Sequence, residues 1–261
     1  MFELDIFADL FVFLFGACFG SFANVLIYRM PNSKSIITPS QCTNCNNKIP
    51  WHKNIPLIGY FLSRGKCYIC KKSFSIRYPV VEFLVAIIWL TIFKFYSYSW
   101  NSVEYFILSF GLVVCSFIDW DHMILPDQFT IGGMLLGLLF SFINPDRQFI
   151  DSLLGILFGG GTFYLVGYIY HLFTGREGLG GGDIKLLGWL GSILSWQAIP
   201  FIILTSSILG SIVGIYISRN EANKLKAIIP FGPFIAIAAI LYILGLKSVG
   251  EAYIQLFFPG L

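Results

Sequence analysis

Apolar residues in this chain fall in eight long blocks, at 10–28, 79–97, 104–119, 128–143, 150–173, 184–197, 198–218 and 229–246. Most approach the roughly 20 residues that a helix needs to cross a bilayer. The pattern predicts an all-α polytopic membrane protein of about eight transmembrane helices. The sixth block is the shortest and ends in a tight turn at Ser195-Trp196-Gln197. One long stretch breaks the pattern: 29–78 is polar, basic and interrupted by prolines, with very little apolar material for a core of its own. The expected organisation is therefore a first helix (1–28), a loop domain (29–78) and a seven-helix membrane domain (79–261).

Composition fixes the solvent. Only 12% of residues are charged and 56% are hydrophobic, against about 25% charged in an ordinary soluble domain. Net charge is +3, but orientation follows from where Lys and Arg sit. The loop holds nine of the seventeen: Arg29, Lys34, Lys48, Lys53, Arg64, Lys66, Lys71, Lys72 and Arg77, with no acid among them. It is expected to be cytoplasmic. With eight spans, Arg176, Lys185, Arg219, Lys224 and Lys226 fall on the same side, and only Lys94, Arg147 and Lys247 fall outside. Both termini then face out. The acidic start (Glu3, Asp5, Asp9) lacks the basic region of a secretory signal, so the first helix is expected to stay in the mature chain.

In such a chain an aspartate at a segment end marks a functional site by default. Gly180-Gly181-Gly182-Asp183 leads into the block that starts at Ile184, and the block from Phe106 to Ile118 stops at Asp119. Eight spans put both acids on the cytoplasmic face, the precondition for a pair in which one carboxylate is charged and the other protonated. The competing reading makes each a helix cap, since Asp is a favoured N-cap. Asp183 suits that role; Asp119, at a helix C-terminus where the dipole disfavours an anion, does not. On the residues alone both readings stay open. Beyond Pro126, Asp127 reads as the N-cap of the next helix, Asp121 as a contact for a basic substrate segment, and His122 as a group able to tune the pair.

The loop carries Cys42-Thr43-Asn44-Cys45 and Cys67-Tyr68-Ile69-Cys70, two knuckles with 21 residues between them. That spacing matches a four-thiolate zinc site, and a cytoplasmic loop disfavours structural disulfides. Structural zinc, rather than a redox dithiol, is the expectation, with Cys42, Cys45, Cys67 and Cys70 as ligands. Cys18 and Cys115 read as small core residues. Trp51, Tyr60 and Tyr68 among the basic residues imitate a nucleic-acid surface, but the positive-inside rule already accounts for the charge, so no nucleic acid is expected. His52 and His171 read as surface or interface histidines. Glycines at 132, 133, 137, 155 and 159–161 are expected at close helix contacts.

Several of these segments together resemble the type IV prepilin peptidases, bilayer aspartyl proteases of the Gly-x-Gly-Asp kind. Gly180-Gly181-Gly182-Asp183-Ile184-Lys185-Leu186 and Asp119 through Leu125-Pro126-Asp127 look like their two active-site motifs. Gly20 to Pro31, Asn54-Ile55-Pro56-Leu57, Arg64-Gly65-Lys66-Cys67, Arg77 to Glu82 and Pro230-Phe231-Gly232-Pro233-Phe234 resemble further parts of the pattern. The resemblance implies that Asp119 and Asp183 are the catalytic pair of a bacterial inner-membrane enzyme. It further implies cleavage of type IV prepilins or pseudopilins at the cytoplasmic face, after the Gly that ends a basic leader. The longer members also methylate the new N-terminal residue, usually Phe, with S-adenosylmethionine, and this chain has the long form. Thr43-Asn44 stands where many members have a proline in the knuckle. No glycine-rich nucleotide fingerprint occurs in 29–78, so methylation rests on the resemblance alone. A rival reading, a proton-coupled secondary transporter relaying protons through Asp119 and Asp183, expects internal repeats and midplane acids. A zinc-bearing scaffold without chemistry would leave the acid pair unexplained.

Overall fold

The computed structural model describes residues 6–175, 180–220 and 229–246. Arg176, Lys224, Lys226, Lys247 and both chain ends, which enter the orientation argument, lie outside the described residues. Each of the eight apolar blocks is helical: α1 (Ile6–Arg29), then after a short α2 (Ile58–Leu62), α3 (Arg77–Tyr96), α4 (Trp100–His122), α5 (Asp127–Phe140), α6 (Phe149–Ile156) continuing through a π-helical turn (Leu157–Gly161) into α7 (Thr162–Thr174), α8 (Gly181–Leu194), α9 (Ala198–Asn220) and α10 (Gly232–Leu241). Helices are the expected form, because lipid offers no partner to an unpaired backbone group.

Five of these stretches are long and apolar enough to cross a membrane: Ile6–Arg29, Arg77–Tyr96, Trp100–His122, Phe149–Thr174 and Ala198–Ile217. Among the described residues, length and composition thus support five crossings against the expected eight. α5 and α8 have 14 residues each, about 21 Å at 1.5 Å per residue, short of a hydrocarbon core of roughly 30 Å. α8 has a second distinction, in that every residue from Leu186 to Leu194 is buried. It is sheathed by α5, α6, the π-turn, α9 and α10. Its apolar sequence thus serves packing against protein on all sides.

Contacts divide the chain into two units, Met1–Tyr98 and Ser99–Leu261, so that α3 groups with α1 rather than with the helices after it. In the first unit, α1 packs along α3. A side-chain carbon added at Gly16 would stand 2.8 Å from the Ala86 backbone, and one at Gly20 would meet the backbone of Glu82. Small residues let two helices approach this closely where no hydrophobic effect drives them together. Asp9 near the start of α1 pairs with Lys94 near the end of α3. Asn24 donates to the Tyr78 carbonyl at 3.0 Å, and Arg29 anchors the loop through the Thr38 carbonyl at 2.6 Å and the Pro39 carbonyl at 3.1 Å.

In the second unit, Gly155 and Gly191 bring α6 and α8 into backbone contact, Gly133 seats the indole of Trp189, and Gly137 lies against Ser192. Gly132, expected at such a contact, has nothing within 4 Å. Arg147, read from sequence as an outer-loop charge, is instead buried. It pairs with Glu104 of α4 at 2.6 Å, donates to the Ile193 carbonyl of α8 and, at 3.2 Å, to the Gly137 carbonyl of α5. Asn144 donates to the other Glu104 oxygen at 2.9 Å. One guanidinium thus satisfies carbonyls near the C-terminal ends of two helices. Removing one partner of a buried pair strands the other charge, at a cost of about 3–5 kcal/mol. Glu104→Ala should sharply lower the temperature at which the purified protein aggregates, measured in the same detergent as wild type.

Candidate active site and metal centre

Asp119 lies in the last full turn of α4. The helix ends three residues later, where Met123 adopts a left-handed conformation (φ 55°) and its N–H donates to the Asp119 carbonyl. The Asp119 residue is 6% exposed. Its Oδ2 accepts a hydrogen bond from the Gly232 N–H at 3.0 Å, where α10 begins. A side-chain carbon on Gly232 would stand 2.6 Å from that same oxygen, so only glycine lets the backbone reach the carboxylate.

Asp183 lies in the first turn of α8 and is half-buried. The N-cap of α8 is Gly180, with no side-chain cap hydrogen bond, so Asp183 is not the cap that one sequence reading allowed. Its carboxylate folds back towards Gly180, where an added side-chain carbon would meet Oδ2 at 3.0 Å. Leu125, in the turn between α4 and α5, wedges the two halves together: side-chain carbons added to Gly182 and Gly232 would stand 3.1 and 3.3 Å from it. Gly232, which touches Asp119, and Gly182, which precedes Asp183, thereby meet on the same leucine. Two acids 64 positions apart in sequence are gathered at one end of α4, α8 and α10.

The neighbouring acids fall elsewhere. Asp127 was expected to cap α5, but Pro126 holds the cap position without a side-chain bond, and the Asp127 carboxylate instead takes Lys185 Nζ at 2.7 Å across an exposed ion pair. Its place as first helical residue directs the side chain towards α8 rather than back over its own amides. Asp121 and His122 are exposed on the final turn of α4, in contrast to buried Asp119. His52 and His171 are exposed as well, and Cys115 is buried while Cys18, read as a core residue, faces outward.

The four loop cysteines meet. Their sulfurs all lie within 4.8 Å of one another, with Cys42 to Cys70 at 3.8 Å and Cys45 to Cys67 at 3.9 Å. Tetrahedral thiolates at about 2.3 Å from zinc sit about 3.8 Å apart. The two knuckles repeat one backbone design. Cys42 and Cys67 donate their N–H groups to Asn47 and Lys72 carbonyls, and accept at their own carbonyls from Asn46 and Lys71. Asn46 and Lys71 take positive φ, 54° and 59°, which closes each turn. Short bridges at Gln41 to Lys48 and Lys66 to Ser73 brace them. Hydrogen bonding from Asn47 pushes the Cys45 thiol down to about 6, and backbone N–H groups of Cys70 and Ile69 lower Cys67; thiolates are the form that binds metal. Asn44, one of the two residues inside the knuckle where many members of the resembled family have a proline, donates to Cys70 Sγ at 3.7 Å and is held by Lys72 at 2.9 Å. These residues can hold a metal ion such as zinc.

Beside the knuckles the first unit encloses a cavity of about 380 Å³. Sequence reading gave it no notice, although an acid inside an apolar span, Glu82, was the available signal. Glu82 is 8% exposed and accepts the Leu57 N–H at 2.6 Å, which pins Leu57 at φ 61°. Gly232 as the donor to Asp119 was also missed, since sequence marks the segment without giving its partner.

Two family models match the chain: the bacterial peptidase A24 N-terminal domain over residues 14–96 and the type IV leader peptidase family over residues 106–215. Among curated relatives, the prepilin leader peptidase/N-methyltransferase of Aeromonas hydrophila is 34% identical, across 94% of this chain and 93% of its own. That of Pseudomonas aeruginosa is 33% identical, across 93% and 92%, and that of Neisseria gonorrhoeae 31%, across 91% and 90%. No solved structure matches significantly.

Proposed function

The chain belongs to the type IV leader peptidase family, and on that premise we propose that it removes the basic leader from type IV prepilins or pseudopilins by general acid–base hydrolysis at Asp119 and Asp183. Its relatives carry the names of both a peptidase and an N-methyltransferase, and it is an enzyme of that type, a membrane protease with an associated methyltransferase activity. The reading of the pair rests above all on one observation: Asp119 is buried and oriented by the Gly232 N–H at 3.0 Å beside a second acid.

Two carboxylates that share a poorly hydrated site share one proton. An N–H donor favours the anionic form of the oxygen it contacts, so Asp119 is suited to take a proton from the attacking water. Asp183, at the N-terminus of α8, is suited to hold the shared proton and give it to the scissile carbonyl. Water adds to that carbonyl carbon, and the amine leaves as the C–N bond breaks and takes up a proton from the pair. The protein's part is to fix both carboxylates before the substrate arrives, which the Leu125 wedge and the Gly180–Gly182 approach accomplish.

Zinc at Cys42, Cys45, Cys67 and Cys70 would hold the loop together rather than enter the reaction, since four thiolates leave it no open position. Methylation of the new amine draws on S-adenosylmethionine, which supplies the methyl group as an electrophile. The enzyme works in the bacterial inner membrane, with the acid pair at the cytoplasmic face. Incubating purified protein with a purified prepilin and sequencing the product's N-terminus tests this reading: the expected product begins after the leader's final Gly and carries one added methyl group. An untouched prepilin would refute it.

A further inference from the structure

A cavity of about 380 Å³ falls in the size range of small-molecule sites, roughly 300–1,000 Å³, and this one is built wholly within the first unit. Its walls come from the loop end of α1 (Asn24, Tyr28), the start of α3 (Tyr78, Glu82) and the loop itself (Tyr60, Phe74). The carboxylate in it is unusual. Buried charges are normally paired with an opposite charge, yet Glu82 accepts the Leu57 N–H, a neutral donor, and the Ser21 hydroxyl, also neutral, lines the same cavity. The three cations of the same lining are engaged elsewhere: Arg29 donates to the Ser35, Thr38 and Pro39 carbonyls, Lys34 sits 4.7 Å from the Tyr28 ring centre and Lys53 4.5 Å from that of Tyr68. Among the described residues no cation pairs with Glu82. The cavity therefore offers a carboxylate with no directly paired cation, among aromatic faces, and those faces themselves attract cations and stack on planar bases.

That combination fits S-adenosylmethionine, which joins a sulfonium cation to an aromatic base and a zwitterionic amino acid. We infer that the methyl donor binds in this first-unit cavity with Glu82 set against its sulfonium charge. The inference rests on the methyltransferase reading above. It carries a consequence that a merely structural glutamate would not. In the transfer, the amine lone pair forms the N–C bond while the S–C bond breaks and leaves its electron pair on sulfur; the amine nitrogen then releases a proton to solvent. The donor enters as a cation and leaves as the neutral thioether S-adenosylhomocysteine, so Glu82 favours the donor over the product.

Calorimetric titration of the full-length protein in detergent with each compound tests this. Wild type should bind S-adenosylmethionine more tightly than S-adenosylhomocysteine. Glu82→Gln, which keeps an acceptor for the Leu57 N–H, should weaken donor binding about tenfold, as expected when one charge-assisted contact is lost, and leave product binding nearly as it was. Val25→Trp, which fills the cavity from α1, should weaken both. Zinc content, measured in each variant, reports whether the loop remains folded. If wild type methylates its product while both variants keep full affinity for the donor with intact zinc, the cavity assignment is wrong although the methyltransferase reading stands. If wild type binds neither compound and its product carries no methyl group, the methyltransferase reading itself fails, and this inference with it. Tight binding of a basic leader peptide in the cavity, in place of either compound, would likewise overturn it.

Discussion

Asp119→Asn and Asp183→Asn should each abolish leader removal while leaving the protein inserted and folded. An amide matches the carboxylate in shape, so α4 and α8 keep their packing, and in Asp119→Asn the new side chain would still accept the Gly232 N–H through its carbonyl oxygen. What the amide lacks is basicity at the first position and a transferable proton at the second. General acid–base catalysis contributes about 10²–10⁴-fold per group, and groups that act as one unit lose most of their effect when either is removed, so both single variants should fall to the detection limit of an intact-mass assay on prepilin. Asp127→Asn is the internal contrast. It loses only the exposed pair with Lys185, and such pairs contribute about 0–1 kcal/mol, so this variant should keep most of its activity. Full cleavage by either of the first two variants would remove that residue from the reaction.

The second large effect concerns the metal. Wild type prepared without chelators should carry about one zinc per chain, and a Cys67→Ser, Cys70→Ser variant should carry none. A loop with few apolar residues depends on its metal for its fold, and the cavity beside it is lined by Cys42, Thr43 and Asn46 of the first knuckle. Methyl transfer should therefore disappear completely in this variant. Cleavage should fall only in part, because Asp119 and Asp183 are held by α4, α8 and α10, none of which contains a cysteine of the cluster. Intact mass of one prepilin product reports both activities at once, and elemental analysis gives the metal. Metal-free wild type containing a Cys42 to Cys45 crosslink would instead mark a redox dithiol.

The apolar blocks made the helices legible because in a bilayer composition alone selects helix: block and helix agree closely for α1, α3, α4 and α9. The cysteine cluster was legible because ligand spacing encodes a local turn, here closed at Asn46 and Lys71. Long-range partners were not. Arg147 reads in sequence as an outer-loop charge, and only the fold brings Glu104, 43 positions away, to neutralise it. Asp127 reads as a cap because Asp caps helices, yet Lys185 of α8 outcompetes that local role. The surroundings of α8 were not legible either, because burial in protein and burial in lipid leave the same apolar mark, and only the fold shows Leu186 to Leu194 packed on protein. The sequence marks Asp119 and Asp183 by their places at the ends of apolar blocks, whereas the N–H that orients Asp119 comes from Gly232, 113 positions further on.

The most direct test of the acid pair is the binding of a prepilin leader peptide whose scissile amide is replaced by a hydroxyethylene group, which imitates the tetrahedral species between the two carboxylates. Analogues of a transition state bind about 10²-fold or more tightly than substrates. Against the matching amide peptide, wild type should show that advantage in a calorimetric titration, and each of Asp119→Asn and Asp183→Asn should lose it while retaining affinity for the amide peptide. Equal affinity of wild type for the two peptides, or an undiminished advantage in either variant, would contradict catalysis by Asp119 and Asp183.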